Sequence, residues 1–210
     1  MKKNILLSLM TLLFFTADAQ ADECIVDCCE ADRMNFYAKI FGGANWLQST
    51  RIEGNKANYR TGYIFAGSLG FCWRQYGMHL EAEYAFRRNG ISKIHFITQG
   101  SSHNGHFQTS SYMANLLWDL PLSSQWCESL NIQPFIGAGI GYDCQQMHSS
   151  NSLIVFNEKW HKFAWQAMAG LAFPIFRHAD LTLEYKFHQG GHFNNHALGI
   201  GLVYKFGYIK

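Results

Sequence analysis

Apolar side chains recur at every second position in eight segments of this chain, and no other feature constrains its fold as strongly. Successive side chains of a β-strand point to opposite faces, so this period of two predicts strands. The predicted strands are 36–47, 63–73, 78–87, 112–120, 132–142, 163–173, 180–188 and 198–206. An even number of strands favours a closed up-and-down antiparallel barrel.

The sizes of the two faces predict which of them points outward. One face carries about five bulky apolar residues per strand, whereas the other is small or charged and includes Gly137, Gly139, Gly141, Gly199 and Gly201. An eight-stranded barrel has an interior just wide enough for side chains to fill. The bulky face would overfill it, so we expect that face to contact lipid. A soluble lipocalin-like barrel with the apolar face inside is the alternative.

Composition agrees with a chain that does not face water everywhere. Of its 210 residues, 48% are hydrophobic and only 15% are charged, against about 25% in an average soluble domain. The formal net charge of +2 gives no broad basic field, so no nucleic-acid partner is expected. Aromatic residues gather near both ends of the predicted strands, as in the girdles of membrane barrels.

The connections between strands also differ in length between the two ends. Residues 74–77 and 173–180 form short turns, whereas 48–62, 88–111 and 143–161 are long and polar; 121–131 is an exception of intermediate length on the short side. Long loops on one side are typical of barrels in the bacterial outer membrane, where they lie outside the cell. The predicted fold class is all-β, an eight-stranded antiparallel up-and-down transmembrane β-barrel.

The first residues carry the signals of export. Lys2 and Lys3 precede an apolar stretch over 5–15, and small residues follow at 17–21, which predicts a signal peptide over 1–21. Asp18 ends the apolar run well short of the roughly 20 residues that a spanning helix needs. The predicted organisation is a signal peptide at 1–21, a cysteine-containing periplasmic tail at 22–34, and the barrel at 35–210.

Several stretches, in this order, resemble a known family: GMHLEAEYAFRR, YMANLLWDLPL, IQPFIGAGIGYD, FAWQAMAGLAF, DLTLEYKF and ALGIGLVYKF. They are similar to small outer-membrane barrels of the opacity-protein and surface-antigen type, which share the architecture of the OmpA transmembrane domain. The resemblance covers about 35–206. It implies a surface-exposed envelope protein without a common enzymatic activity, whose loops act in adhesion or immune contact. The last strand resembles the assembly signal read by the barrel-insertion machinery, through Gly201, Tyr204 and Phe206.

The ions on the small face are predicted to form a network of pairs inside the lumen, because a buried charge needs a partner. The candidates are Lys39, Glu81, Glu83, Arg87, Asp119, Glu184, Lys186 and Lys205, four acids and four bases. A structural plug is the favoured interpretation, and a gate or narrow ion path is the alternative.

Cysteines and histidines supply the remaining candidate sites. An exported chain permits disulfides, and the candidates expected in the periplasmic layer are Cys24, Cys28, Cys29, Cys72 and Cys127; Cys144 belongs to the opposite end. Eight histidines fall in or beside the predicted loops, and His188 and His196 are placed symmetrically about His192 in one hairpin. These three are a weak zinc candidate, because no Cys or carboxylate completes a ligand set. No cofactor is expected.

A catalytic site is not expected either. His148, Ser149 and Glu158 supply a base, a nucleophile and an acid, but they lie in a polar loop that fixes no geometry between them. The sequence therefore predicts a non-enzymatic protein of the bacterial outer membrane with a structural and surface-interaction role. Its expected partners are outer-membrane lipid, the insertion machinery, and host or envelope proteins bound through the loops. A narrow porin-like channel and a soluble periplasmic lipocalin-like binder are the alternatives.

Overall fold

A computed structural model describes residues 35–48, 50–52, 55–73, 76–95, 101–102, 105–121, 132–151, 154–191 and 193–206. The predicted signal peptide and periplasmic tail lie outside the described residues, so both stay predictions. No helix in the described ranges is long and apolar enough to cross a membrane.

The described residues form eleven strands. Their bounds are β1 Asn35–Leu47, β2 Thr50–Ile52, β3 Asn55–Tyr59, β4 Gly62–Trp73, β5 Met78–His95, β6 Ser101–Ser102, β7 Gly105–Asp119, β8 Gln133–Asn151, β9 Ile154–Phe176, β10 Ala179–Gly190 and β11 Phe193–Lys205. Each of the eight predicted strands corresponds to one long strand of the structure.

Eight of these strands close into a barrel. In order around the wall they are β1, β4, β5, β7, β8, β9, β10 and β11, and every neighbouring pair is antiparallel. β11 returns to β1 from Tyr37↔Lys205 to Leu47↔Asn195, which removes both sheet edges. The predicted eight-stranded antiparallel barrel is therefore confirmed.

The apolar face points outward, as the size of the lumen requires. Phe65 is 60% exposed and Ile140 is 62% exposed on the outer surface, whereas Glu184 and Lys186 on the inner surface are at most 1% exposed. A Cβ on Gly139 would collide with the side chain of Asn115 on the neighbouring strand. A soluble lipocalin-like barrel would have its apolar face inside, so that alternative is wrong.

The segments predicted as long loops are largely strand. β5 runs on to His95, β7 begins at Gly105, and β8 and β9 pair without interruption from Gln133↔Ala172 to Asn151↔Ile154. β2 and β3 form a small hairpin on the extension of β5, and β6 pairs there as well. The alternation fades in these segments because neither face meets lipid, yet the backbone hydrogen bonds of the ladder continue.

The two ends of the barrel differ accordingly. We call the end with these extensions the loop end and the opposite one the turn end. At the turn end, β4 and β5 are joined through Gly77 with φ +59°, a left-handed conformation that glycine adopts without strain. At the loop end, Gly191 with φ +61° serves the same purpose between β10 and β11.

Candidate functional site

The lumen holds most of the buried charge of the described residues. Alternation along each strand places every second side chain inside, and eight ionised side chains are less than 4% exposed there: Lys39, Glu81, Glu83, Arg87, Asp143, Asp180, Glu184 and Lys186. Ions buried to this degree are stable only when they are paired and hydrogen-bonded. The lumen is therefore the candidate functional site.

Lys39 on β1 joins two carboxylates from different strands. Its Nζ lies 2.8 Å from Glu81 Oε1 on β5 and 3.5 Å from Glu184 Oε1 on β10. The hydroxyl of Tyr37 donates to Glu81 Oε1 at 2.9 Å, and that of Thr182 donates to Glu184 Oε1 at 2.7 Å. Each acid is thus bound by both a cation and a neutral donor.

Lys186 on β10 extends this arrangement across the barrel. Its Nζ lies 2.5 Å from Glu83 Oε2 on β5, the strand opposite β10 in the wall, and 3.6 Å from Glu184 Oε2. The ammonium also lies 4.5 Å from the centroid of the Phe41 ring, within the range of a cation–π contact. Since Glu184 approaches both lysines, the two halves form one network.

Arg87 and two amides complete the network. Arg87 donates to Ser111 Oγ at 2.6 Å and to Gln166 Oε1 at 3.5 Å. The Gln166 amide in turn donates to Glu83 Oε1 at 3.1 Å and to Asn115 Oδ1 at 2.7 Å. Three acids and three bases therefore balance at the centre of the lumen, a group that we call the central network: Lys39, Glu81, Glu83, Arg87, Glu184 and Lys186.

Two predicted members of the network, Asp119 and Lys205, lie elsewhere. Both line a cavity of about 60 Å³ at the turn end, which has room for a few water molecules. Asp119 Oδ2 is 2.7 Å from His79 Nε2, and Lys205 Nζ is 2.8 Å from Asp180 Oδ2. Their partners were not singled out in the sequence, although both His79 and Asp180 continue the inward alternation of β5 and β10.

A third pair that is not predicted from the sequence lies at the loop end. His188 Nε2 is 2.9 Å from Asp143 Oδ2, and the Gln145 amide donates to the same oxygen at 3.2 Å and to Gly190 O at 2.9 Å. Asp143 continues the inner face of β8 two residues beyond Gly141, and His188 continues that of β10 two residues beyond Lys186. Extending the predicted strand 132–142 by one residue would place Asp143 inside, and His188 already lies on the inner face of the predicted strand 180–188.

Apolar side chains close the lumen above this pair. Phe107 on β7 and Phe193 on β11 come from almost opposite sides of the wall, with ring centroids 4.6 Å apart, and Leu47 packs beside them. Tyr59 of β3 covers the cluster, and burial raises the pKa of its hydroxyl to about 12. We call Leu47, Tyr59, Phe107 and Phe193 the apolar cap. A smaller cluster of Leu117, Phe135 and Met168 lies towards the turn end.

The two described histidines of the weak metal candidate, His188 and His196, point to opposite faces of the wall. His188 pairs with Asn195 in the ladder and points into the lumen, whereas His196 pairs with Phe187 and points outward, where it contacts the Tyr185 hydroxyl at 2.7 Å. His192 lies outside the described residues. In the described ranges, no group of three or more His, Cys, Asp or Glu side chains is placed to hold a metal ion.

The two described cysteines, Cys72 and Cys144, lie at the ends of the barrel that the sequence predicts for them. Cys144, near the loop end, is a free thiol whose Sγ lies 3.3 Å from His161 Nδ1 on the outer wall. Cys72 is buried at the turn end and is not free. Its predicted partners, Cys24, Cys28, Cys29 and Cys127, lie outside the described residues, so the pairing stays a prediction.

Residues of the predicted assembly signal alternate about the wall of β11. Gly201 faces the lumen beside Thr182, while Tyr204 and Phe206 point outward at the turn end with their rings 5.7 Å apart. The aromatic pair is thus exposed on the outer surface of the strand that closes the barrel.

Comparison with known protein families agrees with an outward apolar wall around a lumen of paired ions. The family model of the outer membrane protein beta-barrel domain matches residues 7–206. The chain belongs to that family. Its location is accordingly the bacterial outer membrane, with the apolar wall in contact with lipid.

Individual relatives are distant in sequence. A protein of Gluconacetobacter diazotrophicus named outer membrane protein is 24% identical over 172 residues, which cover 71% of this chain and 45% of that protein. The chain thus spans less than half the length of this curated relative.

Solved structures share the fold. Neisserial surface protein A is 14% identical, with a TM-score of 0.58, and the match covers 83% of this chain and all of that one. Ail of Yersinia pestis, solved in complex with the heparin analogue sucrose octasulfate, gives a TM-score of 0.53 at the same identity and coverages. OprG of Pseudomonas aeruginosa gives 0.56 at 12% identity, over 82% of this chain and 96% of that one.

Proposed function

We propose that this outer-membrane barrel is a non-enzymatic surface protein, in which the lumen is a structural plug and the loop end contacts partners outside the cell. The observation that supports the plug is the central network, in which Glu83 of β5 pairs with Lys186 of the opposite strand β10 and Lys39 of β1 binds carboxylates of both strands. The apolar cap closes the loop end above it. Among the described residues, an ion that crosses the lumen would have to separate these pairs and pass the apolar cap.

Single-channel recording tests the plug against the narrow channel. The full-length barrel, refolded and inserted into planar bilayers, is expected to give only rare and small current steps, with a general porin as the positive control. Regular, stable conductance steps would favour the porin-like alternative and contradict the plug.

The surface role is supported by the strand extensions. The β8–β9 hairpin and the small sheet of β2, β3 and β6 lie beyond the girdle and carry mostly polar residues. We infer that these hairpins are the contact surface of a surface antigen, with adhesion as its function. Closing the hairpin directly between Gln145 and Trp160, which are opposite each other in the ladder, should remove most of it and leave the wall intact.

A cell-adhesion assay tests the proposed adhesive role of the hairpins. Bacteria that display the full chain should bind epithelial monolayers better than bacteria that display the shortened hairpin at equal surface density. Equal binding by both would contradict the contribution of the hairpin, while the recordings above would be unaffected.

A partner and a disulfide also belong to this proposal. The insertion machinery is proposed to bind the end of β11 through Gly201, Tyr204 and Phe206, of which the two aromatic residues are exposed on the outer wall.

A disulfide from Cys72 to a cysteine of the tail or of 121–131 is proposed to stabilise the turn end. Mapping of disulfide-linked peptides from non-reduced membranes would identify the pair, and alkylation of Cys72 without prior reduction would contradict the proposal.

A further inference from the structure

A groove crosses the outer wall of the barrel at mid-height. Two hollows of about 480 and 790 Å³ meet there, and Ile40, Gly67 and Tyr84 line both of them. A Cβ on Gly67 would have nothing within 4 Å, so the wall is open at that residue. Because the groove is apolar and lies within the lipid-facing wall, an acyl chain is the occupant that its position favours.

Two arginines lie on the same outer face at the loop end of this groove. Going up β5, the outward residues are Tyr84, Phe86 and Arg88, and Arg88 is exposed. Arg60 donates its backbone N–H to Gly90 O at 2.8 Å, and a Cβ on Gly90 would lie 3.9 Å from both Cβ and Cδ of Arg60. The side-chain stem of Arg60 therefore covers Gly90 on the outer face. Arg88 lies two residues before Gly90 on β5, so Arg60 and Arg88 are diagonal neighbours, whose Cα atoms are typically about 7–8 Å apart.

Among the described residues, the ladder neighbours of Arg88 are neutral or aromatic. Arg88 is opposite Tyr63 on β4 and Gln108 on β7, so no carboxylate faces it across either ladder. The rings of Tyr63 and Phe86, 6.4 Å apart, lie between the arginines and the groove, at the height of the girdle. Two guanidinium groups just above a girdle are placed where the phosphates of outer-leaflet lipids lie.

We propose that this face binds an anionic, phosphate-bearing lipid of the outer leaflet, with an acyl chain over Gly67 and a phosphate on Arg60 and Arg88. Guanidinium groups bind phosphate through paired charge-assisted hydrogen bonds, which is the chemistry that the headgroup requires. The site depends on the membrane location and is independent of adhesion by the hairpins.

Native mass spectrometry of the full chain in detergent micelles tests the headgroup contact, with diphosphoryl lipid A as the probe. The wild-type barrel should retain the lipid, and the double variant R60Q/R88Q should bind it roughly tenfold more weakly. The double variant K162Q/R177Q is the matched control, because it removes two exposed charges away from the groove. Fully dephosphorylated lipid A should bind wild-type protein and R60Q/R88Q equally.

A second pair of variants tests the groove itself. Gly67→Leu should fill the open space and lower retention of lipid A, whereas Ala138→Leu, on the exposed outer face of β8, should leave it unchanged. Heat-dependent gel mobility confirms that each variant is folded. Equal retention by all folded variants would overturn the proposal. A wild-type dimer that Gly67→Leu dissociates, without a lipid A adduct, would assign the groove to a second copy of the chain and overturn it as well.

Discussion

At the level of single residues, the lumen shows how strongly a buried charge depends on its partners. Lys186 is 1% exposed and lies within 4 Å of both Glu83 and Glu184. Glu83 also accepts from Gln166, but a neutral amide does not replace a cation beside an ionised carboxylate. The lysine therefore holds two carboxylates in the folded state.

Lys186→Ala should destabilise the barrel by about 3–5 kcal/mol, because it leaves two buried carboxylates without their shared cation. Urea unfolding of the barrel in lipid vesicles, followed by heat-dependent gel mobility, measures the change. Lys162→Ala removes an exposed lysine and should shift the free energy of unfolding by no more than about 0.5 kcal/mol. Equal transitions for the two variants would contradict the pairing.

Two glycines of β4 allow a matched comparison of the inner and outer faces. A Cβ on Gly70 would collide with the Tyr37 ring in the lumen, whereas a Cβ on Gly67 would enter open space on the outer wall. Gly70→Ala should cost about 1–3 kcal/mol through overpacking, and Gly67→Ala should leave the barrel as stable or more stable. Urea unfolding in vesicles compares the stabilities of the two variants. If Gly70→Ala is at least as stable as Gly67→Ala, the Tyr37 ring moves aside without cost and the prediction is wrong.

Alternation along a strand predicts the face of a residue but not its partner. Lys39, Glu81 and Lys186 were placed inside on that basis, and they are inside. Asp119 and Lys205 were placed in the same network, yet they pair with His79 and Asp180 at the turn end. The difference is one of height in the lumen, which depends on the stagger between strands when the sheet closes. The sequence of a single strand does not determine that stagger.

At the level of elements, the β8–β9 hairpin is the largest departure from what the sequence predicts. Residues 143–161 were expected to be a polar loop, but most of them belong to two strands in continuous register. The number, order and direction of the barrel strands could be predicted because lipid on one side and a narrow lumen on the other impose alternation. Beyond the aromatic girdle neither lipid nor a narrow lumen imposes alternation. The length of the strands could therefore not be predicted from the sequence.

The hairpin should be dispensable for folding. Replacing residues 146–159 by Asn-Gly joins Gln145 to Trp160, and this dipeptide forms the tight turn that fits the twist of two antiparallel strands. The barrel should keep its heat-dependent gel mobility and its protection from protease in vesicles. Loss of the folded band would show that the wall needs the extension.

At the level of the whole molecule, the filled lumen ties opposite parts of the wall together. Glu83 and Lys186 connect β5 to β10, and Phe107 and Phe193 connect β7 to β11. Closure of β1 on β11 removes the sheet edges, and these internal contacts then oppose flattening of the cylinder. The stability of the barrel should therefore come from groups that water and salt do not reach.

Salt tests this expectation directly. The Debye length falls from about 10 Å at 0.1 M to about 3 Å at 1 M, so exposed ion pairs weaken over that range while buried pairs do not. The free energy of unfolding in vesicles of neutral lipid should change by no more than about 0.5 kcal/mol between these concentrations. A marked loss of stability in 1 M NaCl would show that the network is hydrated.

The unequal length of the strands has a consequence for how the protein meets its surroundings. β9 has 23 residues and β8 has 19, whereas β10 has 12. At about 3.3 Å per residue, β9 is roughly 75 Å long, and a typical tilt of about 40° leaves about 57 Å along the membrane normal, nearly twice the thickness of the hydrocarbon layer. The wall of the barrel is therefore taller on the side of β8 and β9 than on the side of β10. An antibody or a neighbouring cell that approaches from outside would therefore reach the β8–β9 hairpin before it reached the shorter side formed by β10 and β11.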